Sequence, residues 1–330
     1  MKTYIADGNG DFQKVAVWHA SDGSAFRRLK EAHCHDGTDW RLIFRGYWEQ
    51  LSTISNVTAL SFLSGNLIAS TTAGVFSYSG GSWTRLGGTE NTSTVYNSGG
   101  TLLRCNFGTQ VESWSGSAWS ILGSSYLNPK YTKQLLDFGG YVFSANLEND
   151  GIDNPSRYFS GGSWNQDLLN GNGIGLCLCS DSSNLYCGTN YLIKRRNSRY
   201  NWTAISSTNA YCASLCFHSN DLYSIKLGSI VTVHKWTGSG TSWDQIGNVS
   251  RSSISGVSPQ SLISFNDGEK TCLISSWEEN DIASVGSWDG TRWISFGAVG
   301  FTGKGSLFSF GGELYYGCSS GVFKWTGPIP

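Results

Sequence analysis

Residues 79–88 read SGGSWTRLGG: a Ser-flanked glycine pair that makes a tight turn, then a short strand carrying Trp83. The phrase returns as 115-SGSAWSILGS-124, 160-SGGSWNQDLL-169 and 287-SWDGTRWISFG-297. Its core is Trp, two residues, then an apolar residue, often with Gly next. It occurs at Trp48 with Leu51, Trp83 with Leu86, Trp119 with Leu122, Trp202 with Ile205, Trp243 with Ile246 and Trp293 with Phe296. Trp164 carries one extra residue before Leu168, which makes seven anchors. From Trp48 to Trp293 is 245 residues in six steps, so the period is about 41. A repeat of that length with strand-like content is the signature of propeller blades.

Each period has one inner grammar. An apolar strand ends in a Gly or Asn turn, as in 59-ALSFLSGN-66, 134-QLLDFGG-140, 214-SLCFHSND-221 and 306-SLFSFGGE-313. A second strand follows at once: 67-LIAS-70, 141-YVFSA-145, 222-LYSIK-226 and 314-LYYGC-318. A third ends in an aromatic, namely Tyr78, Trp114, Phe159, Trp236, Trp288 and Trp325. A Ser/Gly turn then returns to the anchor Trp. Apolar runs joined by tight turns are hairpins, and four short antiparallel strands make one blade. The composition agrees: 42 Gly, 14% aromatic residues and only 14% charged residues. The last period stops before its own anchor strand, while 46-GYWEQLSTI-54 is an anchor strand with no blade before it. The N-terminal strand is therefore expected to complete the last blade, so that no unpaired edge is left there. The expected fold class is all-β: a seven-bladed β-propeller over residues 45–330, closed by an N-terminal strand and preceded by a small hairpin-like segment, residues 1–44.

The blade pattern, an aromatic, SGGS, then Trp-x-x-Leu-Gly, followed by F-x-G-x-LY-x-G, resembles kelch-type and galactose-oxidase-like propeller repeats. The resemblance spans about 285 residues and implies architecture alone. The copper and tyrosyl-radical motifs of the oxidases are not visible. Nor is the Ser-x-Asp-x-Gly-x-x-Trp box of sialidase propellers, since 287-SWDGTRW-293 has a different spacing.

The first 44 residues hold a shorter repeat: 5-IADGNGDFQKV-15, 19-HASDGSAFRRL-29 and 33-HCHDGTDWRLI-43. Asp-Gly opens a turn, and Phe12, Phe26 and Trp40, spaced by 14, open the outgoing strand with a basic residue close behind. These repeats resemble the short DG-x-x-W-[KR]-x-[VI] modules of bacteriophage tail, fibre and other virion proteins. Such a segment is too small for its own core and is expected to dock on the propeller, on copies of itself or on another virion protein. Phe12, Phe26, Arg27, Arg28, Trp40 and Arg41 are the candidate partner-binding residues, because aromatic and Arg side chains dominate protein interfaces.

The net charge of −1 gives no draw toward nucleic acid or an anionic membrane. No apolar run reaches about 18 residues, and no apolar stretch follows Met1, so neither a membrane span nor a standard secretory signal is expected. Nine cysteines, an odd number set mostly in apolar runs, read as buried reduced thiols rather than a disulfide framework. Cys177 and Cys179 share one strand face, but no second pair offers metal-ligand spacing. His33 and His35 are the weak metal candidates, also on one face of a strand. Asp7-x-Asn9-x-Asp11 begins like a calcium loop but lacks the distal Glu and reads as a turn.

In a blade, the turns between strands one and two and between three and four share a face, and here they are short. The other face takes the longer connections: 123-GSSYLNPKY-131, 146-NLENDGIDNPSRY-158, 248-NVSRSSISGVSPQ-260 and 275-SSWEENDIAS-284. Loops on a rigid scaffold carry function, so Tyr126, Tyr131 and Trp277 are candidate ligand-stacking residues. The acidic candidates are Glu148, Asp150 and Asp153 in blade 3 and Glu278, Glu279 and Asp281 in blade 6. Paired carboxylates suit glycosidase chemistry at separations of about 5–10 Å, but blades 3 and 6 lie nearly opposite, so solvated acidic loops are the better reading, with calcium sites second. No Ser/His/Asp or Cys/His constellation assembles from spacing. The expected function is a non-enzymatic phage virion component (tail, fibre or tip) without cofactor, attached by its N-terminal segment and offering the propeller to a host receptor, glycan or protein. It would be located in the virion, after assembly in the host cytoplasm. A microbial kelch-like binding protein outside any virion is second and a propeller glycosidase third.

Overall fold

The computed structural model describes residues 46–106, 110–123, 132–146, 156–167, 174–207, 211–227, 231–249, 258–268, 270–279, 282–296, 305–327 and 329, and the backbone of six short strands within residues 3–45. For residues 227, 258–260 and 279 the backbone alone is described. Seven four-stranded antiparallel sheets form the blades. Blades 1 to 6 span residues 57–85, 92–121, 132–166, 175–204, 212–248 and 258–295. Blade 7 combines three strands of residues 306–326 with Tyr47–Ser52 as its fourth. That closing strand pairs Trp48 with Trp325 and Tyr47 with Thr326, as the sequence leads one to expect. Gly46 takes φ +53°, and a Cβ there would run into the Trp325 ring, so the chain enters the ring through a position that only glycine fits. The first strand of each blade packs on the first strands of its neighbours, and Ser306–Phe310 reaches Val57–Leu63 to complete the circle.

The recurring phrase is a latch between blades. Within a blade its Trp faces the third-strand aromatic directly: Tyr78–Trp83, Trp114–Trp119, Phe159–Trp164, Trp236–Trp243, Trp288–Trp293 and Trp325–Trp48. Such cross-strand aromatic pairs stabilise a sheet by about 0.2–1 kcal/mol each. Between blades, the Trp119 indole N–H donates to the Leu86 carbonyl at 2.6 Å, Trp164 to Leu122 at 2.9 Å and Trp243 to Ile205 at 2.6 Å. The glycine of the phrase makes room for this contact. A Cβ on Gly87 would stand 2.7 Å from Trp119 Cδ1, and one on Gly123 would stand 2.5 Å from Phe159 Cε2.

Junction 3–4 departs from the pattern. The backbone bond that Leu86 makes to Val75 and Leu122 to Val111 is made in blade 3 by Asp167 to Ser156. Asp167, not Leu168, therefore holds the apolar anchor position, and Leu168 lies outside the described residues. Opposite Trp202, where other blades carry an aromatic, stands Arg196. Its Nε bonds the fully buried Asp167 carboxylate at 2.6 Å, and its guanidinium lies 5.1 Å from the Phe143 ring centre. An ion pair thus replaces the apolar latch at this junction.

Three two-stranded hairpins precede the ring. They repeat one register: Phe12 opposite Ala6, Phe26 opposite Ser21 and Trp40 opposite His35. Each aromatic opens the outgoing strand, and each Asp-Gly pair directly follows the incoming one.

Candidate functional site

The seven inner strands surround an axial channel of about 700 Å³. Its wall changes character along the axis because consecutive positions of the inner strands change chemistry together. The position before the buried Leu or Val is Thr94, Gln134, Ser214, Ser261 or Ser306 in five blades, small or polar. The position after it is Tyr96, Leu136, Ile263 or Phe308 in four, large and apolar. Polar side chains lace the inner strands together: Thr58 Oγ1 donates to Thr92 O at 2.8 Å, Ser93 Oγ to Thr132 O at 2.9 Å, and Gln134 Oε1 accepts from Leu178 N at 2.8 Å.

The mouth on the short-turn face is aromatic. Phe310 is 46% exposed and stacks on Phe62, with ring centres 3.5 Å apart and planes 17° from parallel. Phe308, Tyr96 and Leu136 line the same end of the channel. The Tyr96 hydroxyl accepts from Asp137 N at 3.0 Å, and burial pushes its pKa up. At the opposite mouth, Lys133 and the 39%-exposed Tyr211 line the opening. Burial, then the nearby Cys177 thiol, raises the Tyr211 pKa.

Several expectations require correction. Residues 275–284 are not a long loop: Thr271–Glu279 and Ile282–Trp288 form a hairpin joined by two residues. Trp277 lies in that strand, 6% exposed, packed with Leu262, Leu273 and Val249 between blades 5 and 6. It is a core side chain, because alternation along the strand turns it toward the neighbouring blade. Glu278 points the other way and is 7% exposed, within electrostatic reach of Tyr316, so it is no solvated loop acid. Glu279 ends the strand, with only its backbone described. Tyr126, Tyr131, Glu148, Asp150, Asp153 and Asp281 lie outside the described residues. In the N-terminal hairpins Arg27, Arg28 and Arg41 stand opposite Ala20, His19 and Cys34. His33 and His35 occupy register positions two apart, opposite Leu42 and Trp40. Among the described residues no cluster of His, Cys, Asp or Glu has metal-ligating geometry.

The thiols are buried as expected. All eight described cysteines are buried and free. Burial raises the pKa of Cys105 and Cys179 to about 12 and of Cys272 to about 11. Sequence reasoning missed the aromatic mouth. Phe62, Tyr96, Phe308 and Phe310 read as ordinary strand apolars, and only the ring brings them to one opening.

No protein-family model matches the sequence, and no curated protein matches it. Solved structures do. The chain is similar to the extracellular domain of BT4673, a putative one-component system of B. thetaiotaomicron, at 14% identity and TM-score 0.67 over 84% of this chain. It spans only 39% of that structure's length. YCF48, solved bound to the D1 peptide, matches at 14% identity and TM-score 0.63 over 86% of this chain and 95% of that one. The WD40 propeller domain of Doa1 matches at 12% identity and TM-score 0.61 over 84% and 96%. At these identities the likeness is one of fold, and the fold is the seven-bladed β-propeller.

Proposed function

We propose that this chain is a non-enzymatic binding propeller of a phage virion, a tail, fibre or tip component. It takes an apolar-anchored segment of a partner protein at the aromatic mouth of its axis, and its N-terminal hairpins tether it to the particle. One observation carries the binding assignment: Phe310, nearly half exposed, stacked on Phe62 at a channel opening walled by Phe308, Tyr96 and Leu136. Clustered exposed aromatics mark interaction sites, and a central aromatic anchor is the usual dominant contact of an interface. YCF48, a propeller of similar fold, is solved with a peptide, which supports the peptide-binding reading. The tether assignment rests on the virion-like Asp-Gly-aromatic repeats and on the wiring of the chain, since residue 45 leads through Gly46 directly into the strand that closes the ring. Load on the segment therefore passes to blade 7 along a paired strand.

Two measurements test this reading. Mass spectrometry of purified particles should find the chain, and deletion of residues 1–42 should abolish its incorporation. Peptides selected by display on the immobilised chain should carry an apolar anchor and lose at least about tenfold in affinity against Phe310→Ser, equivalent to about 1.4 kcal/mol. Absence from particles sinks the virion assignment; selected peptides indifferent to Phe310→Ser sink the mouth as the site.

A further inference from the structure

At junctions 1–2, 2–3, 3–4 and 5–6 an inner-strand hydroxyl or amide bonds the backbone of the adjoining inner strand, Ser214 Oγ accepting from Leu262 N at 3.1 Å in the last case. At junction 4–5 the side chain in register with Gln134 and Ser214 is a thiol, that of Cys177. Cys177 Sγ stands 3.7 Å from Cys212 O and 3.8 Å from Cys212 Sγ. No other pair among the eight described cysteines has sulfurs in such contact. Gly188, on the second strand of blade 4, keeps the space: a Cβ there would fall 2.5 Å from Cys177 Sγ and 2.7 Å from Cys212 Sγ. Cys177 also lines the axial channel, while Cys212 is fully buried behind it.

We infer that Cys177 and Cys212 are a site of reversible thiol oxidation, whose product is a disulfide stitching the inner strands of blades 4 and 5. The oxidant is a peroxide small enough to enter the channel. The Cys177 thiolate attacks one peroxide oxygen, the O–O bond breaks, and the leaving hydroxide takes up the thiol's proton as water. Cys177 is then a sulfenic acid. Cys212 sulfur attacks it, the S–O bond breaks, and the second water leaves with the Cys212 proton. Two thiols and one hydrogen peroxide thus become one disulfide and two waters, and dithiothreitol reverses the change. The sulfurs must close from 3.8 Å to about 2.05 Å, and the strands that carry them, Gly175–Ser180 and Cys212–His218, already lie against each other. The closed loop holds 34 intervening residues, so the bond restricts the unfolded chain strongly. Burial raises the Cys177 pKa, which makes the reaction slow and faster with rising pH.

The test uses the full chain carrying Cys34→Ser, treated with hydrogen peroxide, quenched with a thiol reagent in denaturant and mapped by mass spectrometry. The expected result is loss of two hydrogens, a single linked pair Cys177–Cys212, reversal by dithiothreitol and a rise in Tm of about 5 °C. In Cys212→Ala the two-hydrogen loss should vanish and Cys177 should be trapped by dimedone. Unchanged mass, or a link joining other cysteines, overturns the inference. The mapping on the otherwise native chain decides this even where Cys212→Ala fails to fold.

Discussion

Arg196→Leu leaves the Asp167 carboxylate inside the blade 3–4 junction with one remaining hydrogen-bond partner among the described residues, the Tyr200 backbone N–H at 2.9 Å. Asp167 is fully buried, and the lost bond from Arg196 Nε is 2.6 Å long. Removing one member of a buried ion pair strands a charge in a poorly hydrated site, which costs about 3–5 kcal/mol. Against a total stability of about 5–15 kcal/mol, that is a large fraction. The double variant Asp167→Leu/Arg196→Phe should behave oppositely. It rebuilds the latch seen where Leu86 meets the Trp114–Trp119 pair and Leu122 meets Phe159–Trp164. Exchange of a buried ion pair for apolar groups is often neutral or stabilising by about 1–4 kcal/mol, so the double variant should match or exceed the parent chain. Guanidinium unfolding of the parent, the single variants Asp167→Leu and Arg196→Phe, and the double variant gives the coupling energy, expected to be at least about 3 kcal/mol, with the midpoint moving and the slope constant. Refutation is a cost below about 1 kcal/mol for Arg196→Leu, or additive effects in the double variant. Either would mean that the pair is solvated and that the junction is held by its neighbours.

Deletion of residues 1–54 removes the closing strand and the Trp48 ring packed against Trp325, so the cooperative thermal transition should disappear, while deletion of 1–42 should preserve it. Gly87→Ala should cost about 2–4 kcal/mol, from a φ of +78° and displacement of Trp119 from its bond to Leu86 O, whereas Gly80→Ala, with open space around it, should cost only about 1 kcal/mol by chemical denaturation. Burial, and then Lys226, depress the His234 pKa to about 4 from an ordinary 6.5. The unfolded chain therefore binds a proton between those values that the native chain refuses, so stability is full above pH 6.5 and falls as pH drops toward 4. With allowance for solvent screening, His234→Gln should flatten the loss between pH 7 and 5 by about 1 kcal/mol; an unchanged slope would contradict the assignment. Trp277→Ala should lower stability by about 3–5 kcal/mol, read as a fall in the denaturation midpoint.

The blade repeat and the placing of third-strand aromatic and anchor Trp on either side of one turn were legible in the sequence because each depends on residues within one period, and the closing strand was legible because the last period stops before its anchor strand while residues 46–54 supply one. A glycine turn, an alternating strand and a cross-strand pair are local devices, and the chain writes them side by side. The outgoing-strand positions of Phe12, Phe26 and Trp40 were legible for the same reason. What the tertiary structure decided lies between blades. Asp167 looks like an insertion until the ring sets Arg196 against it, and Cys177 looks like any buried thiol until Cys212 arrives from the next blade. Trp277 reads as a loop aromatic because the hairpin turn after it is only two residues long and its flanking text is polar; the neighbouring blade buries it. The aromatic mouth belongs to no single period, since Phe62 and Phe310 meet only when blade 7 closes on blade 1. Partners tens to hundreds of residues apart are chosen by how one sheet face packs on the next, and that choice leaves no spacing in the sequence to read.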